Sequence, residues 1–132
     1  MEFHQTTDYT CGPACVKFIT EYLGYGEVDE MELANKLGAN PEIGTSNEIL
    51  SRYCEERFGA WCGYGIYKGG LAIANIRNWR CGTGHYVVFI RGDKDCVMIF
   101  DPDDGKIHSK KWAEIEFKSG CGSHDKFTIN FQ

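Results

Sequence analysis

Cys11 stands directly before Gly12-Pro13 and a run in which Ala14, Cys15, Val16, Phe18, Ile19, Tyr22 and Leu23 recur at helical spacing. Proline is favoured in a first helical turn, so a helix is expected to begin there and to end at Gly24 and Gly26. A thiol at a helix start lies among unsatisfied N–H groups at the positive end of the macrodipole. Both favour the thiolate, the form that attacks a carbonyl carbon. A free cysteine is as readily a small buried hydrophobe, so position alone leaves Cys11 open between nucleophile and packing. Cys15, one turn on among Val16, Phe18 and Ile19, reads as core. Cys54, Cys62, Cys81, Cys96 and Cys121 lack the helix-start setting and read as packing, a reading that surface exposure would overturn for Cys62, Cys81 or Cys121.

A thiolate needs a base, and the chain offers His4, His85, His108 and His124. His85 opens the apolar run Tyr86-Val87-Val88-Phe89-Ile90 just after Gly82-Thr83-Gly84, which would hold its ring on a rigid strand at a loop's edge. The alternative is a surface histidine that merely starts a strand. His108 and His124 fall in polar stretches expected to be solvated loops. Asp101 ends the next apolar run and is followed by Pro102, which cannot continue a ladder. If the two runs pair as a hairpin, the start of one lies beside the end of the other and Asp101 neighbours His85. A carboxylate there fixes the imidazole tautomer and stabilises the imidazolium. Turn chemistry offers a second explanation, with Asp101 starting a turn through Asp103, Asp104 and Gly105. Those last three residues lack the spaced ligands and terminal Glu of a calcium loop, so no metal is expected. Gln5, six residues before Cys11, could reach an oxyanion with its amide, or be an ordinary surface glutamine.

These residues need elements to position them. A second helix is expected from Asp29, where Asp29-Glu30-Met31-Glu32 resembles a capping box, to Gly38. A third is expected after the cap segment Thr45-Ser46-Asn47-Glu48, burying Ile49, Leu50 and Tyr53 and ending at Gly59. The second half changes period: 85–91 and 96–101, separated by Gly92-Asp93-Lys94-Asp95, read as a hairpin, and 127–131 as a closing strand of the same antiparallel sheet. Between them, 63–67 is expected as a strand and 71–79 as a short helix. Helices first and strands second make an α+β fold.

The chain has 132 residues, 42% hydrophobic and 25% charged, enough apolar mass for one core. No internal repeat or linker divides it. A net charge of −5 without a basic run argues against nucleic acid. No apolar stretch approaches the roughly 20 residues needed to span a bilayer and no signal-peptide pattern opens the chain, so the cytoplasm is the expected compartment. Seven cysteines, an odd number without zinc-ligand spacing, are expected to be mostly reduced thiols. No cofactor is expected, since thiolate hydrolysis needs none and Gly63-Tyr64-Gly65 lacks the rest of a dinucleotide fingerprint.

Three blocks, Gln5-Thr6-Thr7-Asp8-Tyr9-Thr10-Cys11-Gly12-Pro13-Ala14, Gly84-His85-Tyr86-Val87-Val88-Phe89 and Asp101-Pro102-Asp103-Asp104-Gly105, resemble the bacteriocin-processing, double-glycine leader peptidase family of papain-like cysteine peptidases. The resemblance runs from Gln5 to about Gly105 in the family's order of Gln, Cys, His, Asp. Thr10 stands where transporter-attached peptidase domains often carry Asp, so the likeness is to the broad leader-peptidase-like group. It implies one papain-like domain over 1–132, with Cys11 as nucleophile, His85 as general base and acid, Asp101 as orienter and Gln5 as oxyanion donor. It further implies a peptide substrate cleaved after a Gly-Gly or Gly-Ala leader site through a thioester acyl-enzyme. A Gly-Gly site would suit a narrow channel that only residues without a Cβ can enter, between walls drawn from Trp61, Tyr64, Tyr67, Trp79 and Tyr86, although core packing is the more common role for most of these aromatics. The same triad could serve a transpeptidase, deamidase or isopeptidase, and the same fold a non-catalytic peptide-binding module.

Overall fold

The computed structural model describes residues 9–42, 44–64, 67, 69–76, 85–115 and 127–131, with only the backbone described at 62–64 and 127. Helix α1 (Cys11–Tyr22) begins one residue before Gly12-Pro13, with Thr10 at its N-cap and Leu23 at its C-cap. Its buried face, Ala14, Cys15, Val16, Phe18 and Ile19, follows the helical spacing of the apolar residues, whereas Tyr22 is exposed. Helix α2 (Glu30–Lys36) is capped as its sequence suggests: Asp29 accepts the Glu32 backbone N–H at 3.0 Å. Helix α3 (Asn47–Phe58) ends at Gly59, whose φ of 66° is the left-handed conformation that a helix stop requires.

Among the described residues six strands form one antiparallel sheet in the order β1-β6-β2-β3-β4-β5: β1 (Trp61–Tyr64), β2 (Ala72–Ile76), β3 (His85–Gly92), β4 (Cys96–Asp101), β5 (Lys106–Lys111) and β6 (Phe127–Asn130). The architecture is the expected α+β, with the helices against one face of the sheet. Val16, Ile19, Leu33 and Leu50 meet Ile73, Val88, Phe100 and Ile129 there, and the Phe18 ring stacks on Phe100 with centroids 4.2 Å apart. On the other face Ala74, Ile76, Val87, Phe89 and Ile99 form a second cluster against which Tyr67, Trp112 and Ile115 pack. Each Val, Leu, Ile or Phe side chain fully removed from water contributes roughly 1.5–3 kcal/mol.

Three expectations need correction. The helix expected over 71–79 is, over 72–76, the central strand β2. Burial on both faces removes the alternation that marks a strand, and Ala-Ile-Ala-Asn-Ile then reads as helix; residues 77–79 lie outside the described set. The polar stretch holding His108 is the edge strand β5, paired residue for residue with β4. Its Lys106, Lys110 and Lys111 hide the strand signal while discouraging further pairing at the edge. On α3 the buried stripe is Leu50, Ser51 and Cys54, and Ile49 is exposed. The hairpin of β3 and β4 stands as expected, closed by Asp93, whose carboxylate accepts the backbone N–H groups of Asp95 and Cys96, both at 2.8 Å. Those bonds hold the Asp93 carboxyl below its ordinary value. Strand β1 meets the expected 63–67 segment at residues 63 and 64, residues 65 and 66 lying outside the described set, and β6 lies inside the sheet between β1 and β2. Among the described residues no helix is long and apolar enough to cross a membrane.

The start of α1 is anchored from below. Thr10 is fully buried and makes no cap bond to its own helix; its hydroxyl donates instead to the buried carboxylate of Glu30, at 2.5 Å, at the first position of α2. Thr10→Val, which keeps the shape and removes the donor, should lower unfolding free energy by about 1–3 kcal/mol. Denaturant titration checks this, with Thr10→Ser expected to retain most of the stability.

Candidate active site

Three element ends converge. Cys11 is the first residue of α1, His85 the first of β3 and Asp101 the last of β4. Val88 pairs with Phe100, and the same register brings the beginning of β3 beside the end of β4. The His85 Nε2 and the Asp101 Oδ1 are 2.7 Å apart, with the aspartate side chain wholly buried and the imidazole 12% exposed. Cys11 is half-buried and interacts with the His85 side chain, whose pKa it raises. With Nε2 bonded to Asp101, Nδ1 is the ring nitrogen available to a thiol. The three side chains therefore form one chain of contacts, with a helix N-terminus behind the sulfur.

Burial is the largest influence on His85 and by itself would lower its pKa. The hydrogen bonds to Asp101 and Cys11, with the charges of both, outweigh it and lift His85 from 6.5 to about 9. A buried imidazole that is nonetheless easily protonated is the partner a thiolate needs. Cys15 contrasts with Cys11 four residues earlier: it is fully buried, and burial pushes its thiol well up, with Cys11, Asp101 and Cys54 adding to the effect. It is a core residue, as its spacing implied. Cys54 is equally buried, and Cys11, Cys15, Cys54 and Cys96 are free thiols.

The two explanations for Asp101 hold together. Its Oδ1 accepts the Asp103 backbone N–H at 2.9 Å and its carbonyl accepts that of Gly105 at 2.8 Å, so it organises the turn after β4 while bonded to His85. Gly105, at φ 70°, lets the chain reverse into β5. Gln5 lies outside the described residues, as do His4, His124, Cys81, Cys121 and Trp79. Of Cys62 and Tyr64 only the backbone is described. Among the aromatics read as possible cleft walls, Trp61 is exposed on β1, and Tyr67 packs on Phe89 and Trp112. Tyr86 is 4% exposed and serves a different purpose.

That purpose was not legible in the residue pattern. The Tyr86 hydroxyl donates to the Thr45 carbonyl at 2.8 Å and bonds the Asn47 side chain, which also accepts from Asn75 on β2 at 3.3 Å. Thr45 closes against Gly12 as well: a Cβ on that glycine would lie 3.0 Å from the Thr45 hydroxyl. The segment before α3 thus touches the residue after Cys11 and the residue after His85. Thr45-Ser46-Asn47 resembled a helix cap, but Ser46 makes no side-chain cap bond, and the polar groups beside it clamp α1 to β3.

The Asp101 contact has a measurable consequence. His85 is more basic folded than unfolded, so its contribution to stability is fully present below about pH 6.5 and is lost as pH rises through about 9. In Asp101→Asn the His85 midpoint, followed by NMR, should fall from about 9 to the ordinary histidine range or below, because burial persists without the counter-charge. The pH-dependent part of the stability difference between the two proteins should be largest near pH 6 and vanish above pH 9.

By sequence the chain matches no protein-family model and no curated protein. Its fold is similar to the crystal structure of the peptidase domain of Streptococcus ComA, a bi-functional ABC transporter involved in a quorum-sensing pathway. The TM-score is 0.71 at 16% identity, over 98% of this chain and 96% of that one. The two chains therefore share a fold over nearly their whole lengths.

Proposed function

We propose that the chain is a papain-like cysteine peptidase, a single domain in which Cys11 is the nucleophile, His85 the general base and acid, and Asp101 the orienting carboxylate. The observation that carries this reading is the continuous contact from the Cys11 thiol through His85 to the buried Asp101 at a helix N-terminus. His85 takes the Cys11 proton and the thiolate adds to a peptide carbonyl carbon. Negative charge then collects on the oxygen, facing the Cys11 backbone N–H and, by the resemblance, the Gln5 amide. The imidazolium returns its proton to the departing amine as the C–N bond breaks, leaving a thioester. Water, losing a proton to His85, attacks the thioester and frees the acid and the thiol. These steps use only side-chain and backbone groups.

The family resemblance favours a leader-type peptide cut after Gly-Gly or Gly-Ala and met in the cytoplasm, and the likeness in fold to the ComA peptidase domain favours a peptidase. Wild-type and Cys11→Ala protein incubated with peptides containing Gly-Gly and Gly-Ala sites, read by mass spectrometry, test this. The expected result is cleavage after the second small residue by wild type, falling by at least about three orders of magnitude in the variant. A product joined to an added amine in place of water would make the enzyme a transferase. No product, together with a Cys11 no more reactive to a thiol probe than the other cysteines, would leave a peptide-binding module.

A further inference from the structure

Cys11 and His85 belong to different elements, and their separation is set by how α1 sits against β3. Along most of the helix that seating is apolar: Cys15, Val16 and Ile19 share one core with Tyr86 and Val88. At the reacting end a third part of the chain joins the two. Thr45 and Asn47, at the start of α3, meet α1 at Gly12 and β3 at Tyr86, each one residue from a reacting group.

The two contacts differ in kind. On the β3 side the contact is polar: the buried Tyr86 hydroxyl is shared between the Thr45 carbonyl, at 2.8 Å, and the Asn47 side chain, which Asn75 of β2 also reaches at 3.3 Å. On the α1 side it is steric. A Cβ on Gly12 would lie 3.0 Å from the Thr45 Oγ1 and 3.1 Å from the Thr45 Cβ, so a glycine there lets Thr45 seat directly against the first turn of the helix. The Thr45 hydroxyl is buried with no hydrogen-bond partner among the described residues, so this contact works by shape. A hydrogen bond at one end and close packing at the other make a connection of fixed length. Among the described residues the titratable groups acting on His85 are Asp101 and Cys11. Asp101 shares the β3–β4 hairpin with His85, so a movement of α1 would change what Cys11 contributes and leave what Asp101 contributes.

We infer that Thr45, Asn47 and Tyr86 form a strut that sets the distance from Cys11 to His85. All three are positioning residues. They act through Gly12 and through the Tyr86 backbone on the two neighbours that would react, and the inference rests on the cysteine-peptidase reading above.

The test follows the His85 ring by NMR across pH in the full chain, for wild type, Cys11→Ala, Tyr86→Phe and the double variant, with Thr45→Ala and Thr45→Val alongside. Cys11 raises the His85 pKa, so Cys11→Ala should lower the midpoint. Tyr86→Phe keeps the ring and removes the hydroxyl. By loosening α1 from β3 at this end it should produce most of the same fall, and little further fall where Cys11 is already Ala. Thr45→Ala should act in the same direction, whereas Thr45→Val, which keeps the shape against Gly12, should retain the wild-type midpoint. A loss of stability alone moves none of these midpoints in the folded protein. The proposal is overturned by a wild-type midpoint in Tyr86→Phe, by a fall of equal size with and without Cys11, or by a Thr45→Val shift as large as that of Thr45→Ala. If Tyr86→Phe does not fold, a wild-type midpoint in Thr45→Ala overturns it instead. If Cys11→Ala itself leaves the midpoint in place, Cys11 and His85 do not communicate, and the peptidase reading fails together with the proposal. If Cys11→Ala lowers the midpoint while Tyr86→Phe and Thr45→Ala do not, the proposal fails alone.

Discussion

The hydrogen bond between His85 and Asp101 is the contact on which the rest of the site depends. A carboxylate with no exposed surface is costly to ionise, and an imidazole nearly as buried is costly to protonate. Neither group is well placed alone. At 2.7 Å each supplies the other's missing solvation, and the histidine rises to about 9 although burial pushes the other way. Coulombic pairing and hydrogen bonding thus win over desolvation. The outcome is an imidazole that takes a proton readily and is held in one tautomer, with the ring nitrogen toward Cys11 defined by the nitrogen committed to Asp101.

Holding that geometry falls to groups that touch no sulfur. The Asp93 turn sets where β4 leaves β3, and the turn of 101–105 stops the Asp101 backbone from sliding along the ladder. Tyr86, next to His85, is bonded to Thr45, and Thr45 closes on Gly12, next to Cys11. Helix α1 and strand β3 are therefore tied one residue away from Cys11 and from His85. Thr10 follows the same pattern: its hydroxyl is spent on Glu30 from α2, so the helix behind Cys11 is held to its neighbour rather than capped by its own side chain.

What could be read beforehand follows from whether a signal is local. A helix start at Cys11, the stop at Gly59 and the β3–β4 hairpin each rest on a few adjacent residues with firm conformational preferences. The pairing of His85 with Asp101 followed from that hairpin alone. Strand β2 was hidden because it is buried on both faces, β5 because an edge strand can be almost wholly polar, and the exposure of Ile49 because apolar periodicity does not say how wide a helix's buried face is. The Thr45–Tyr86 contact joins residues 41 apart in the chain, a separation at which neither spacing nor composition carries information. Gln5, given its role by resemblance, lies outside the described residues.

The fold and the site carry different kinds of information. A likeness to the ComA peptidase domain at 16% identity means that most side chains differ while helices and strands run alike, and a path through space does not specify a reaction. What turns this path into a candidate enzyme is the location of three residues at three element ends. At the end of an element a side chain can point out of the packed layers. Cys11 one residue later in the chain would enter the buried face of α1 and share the fate of Cys15, whose thiol burial holds in its neutral form. Within four residues of one helix the same side chain is thus a nucleophile candidate or a piece of core, and the difference is set by water and by the histidine that only the first of them reaches.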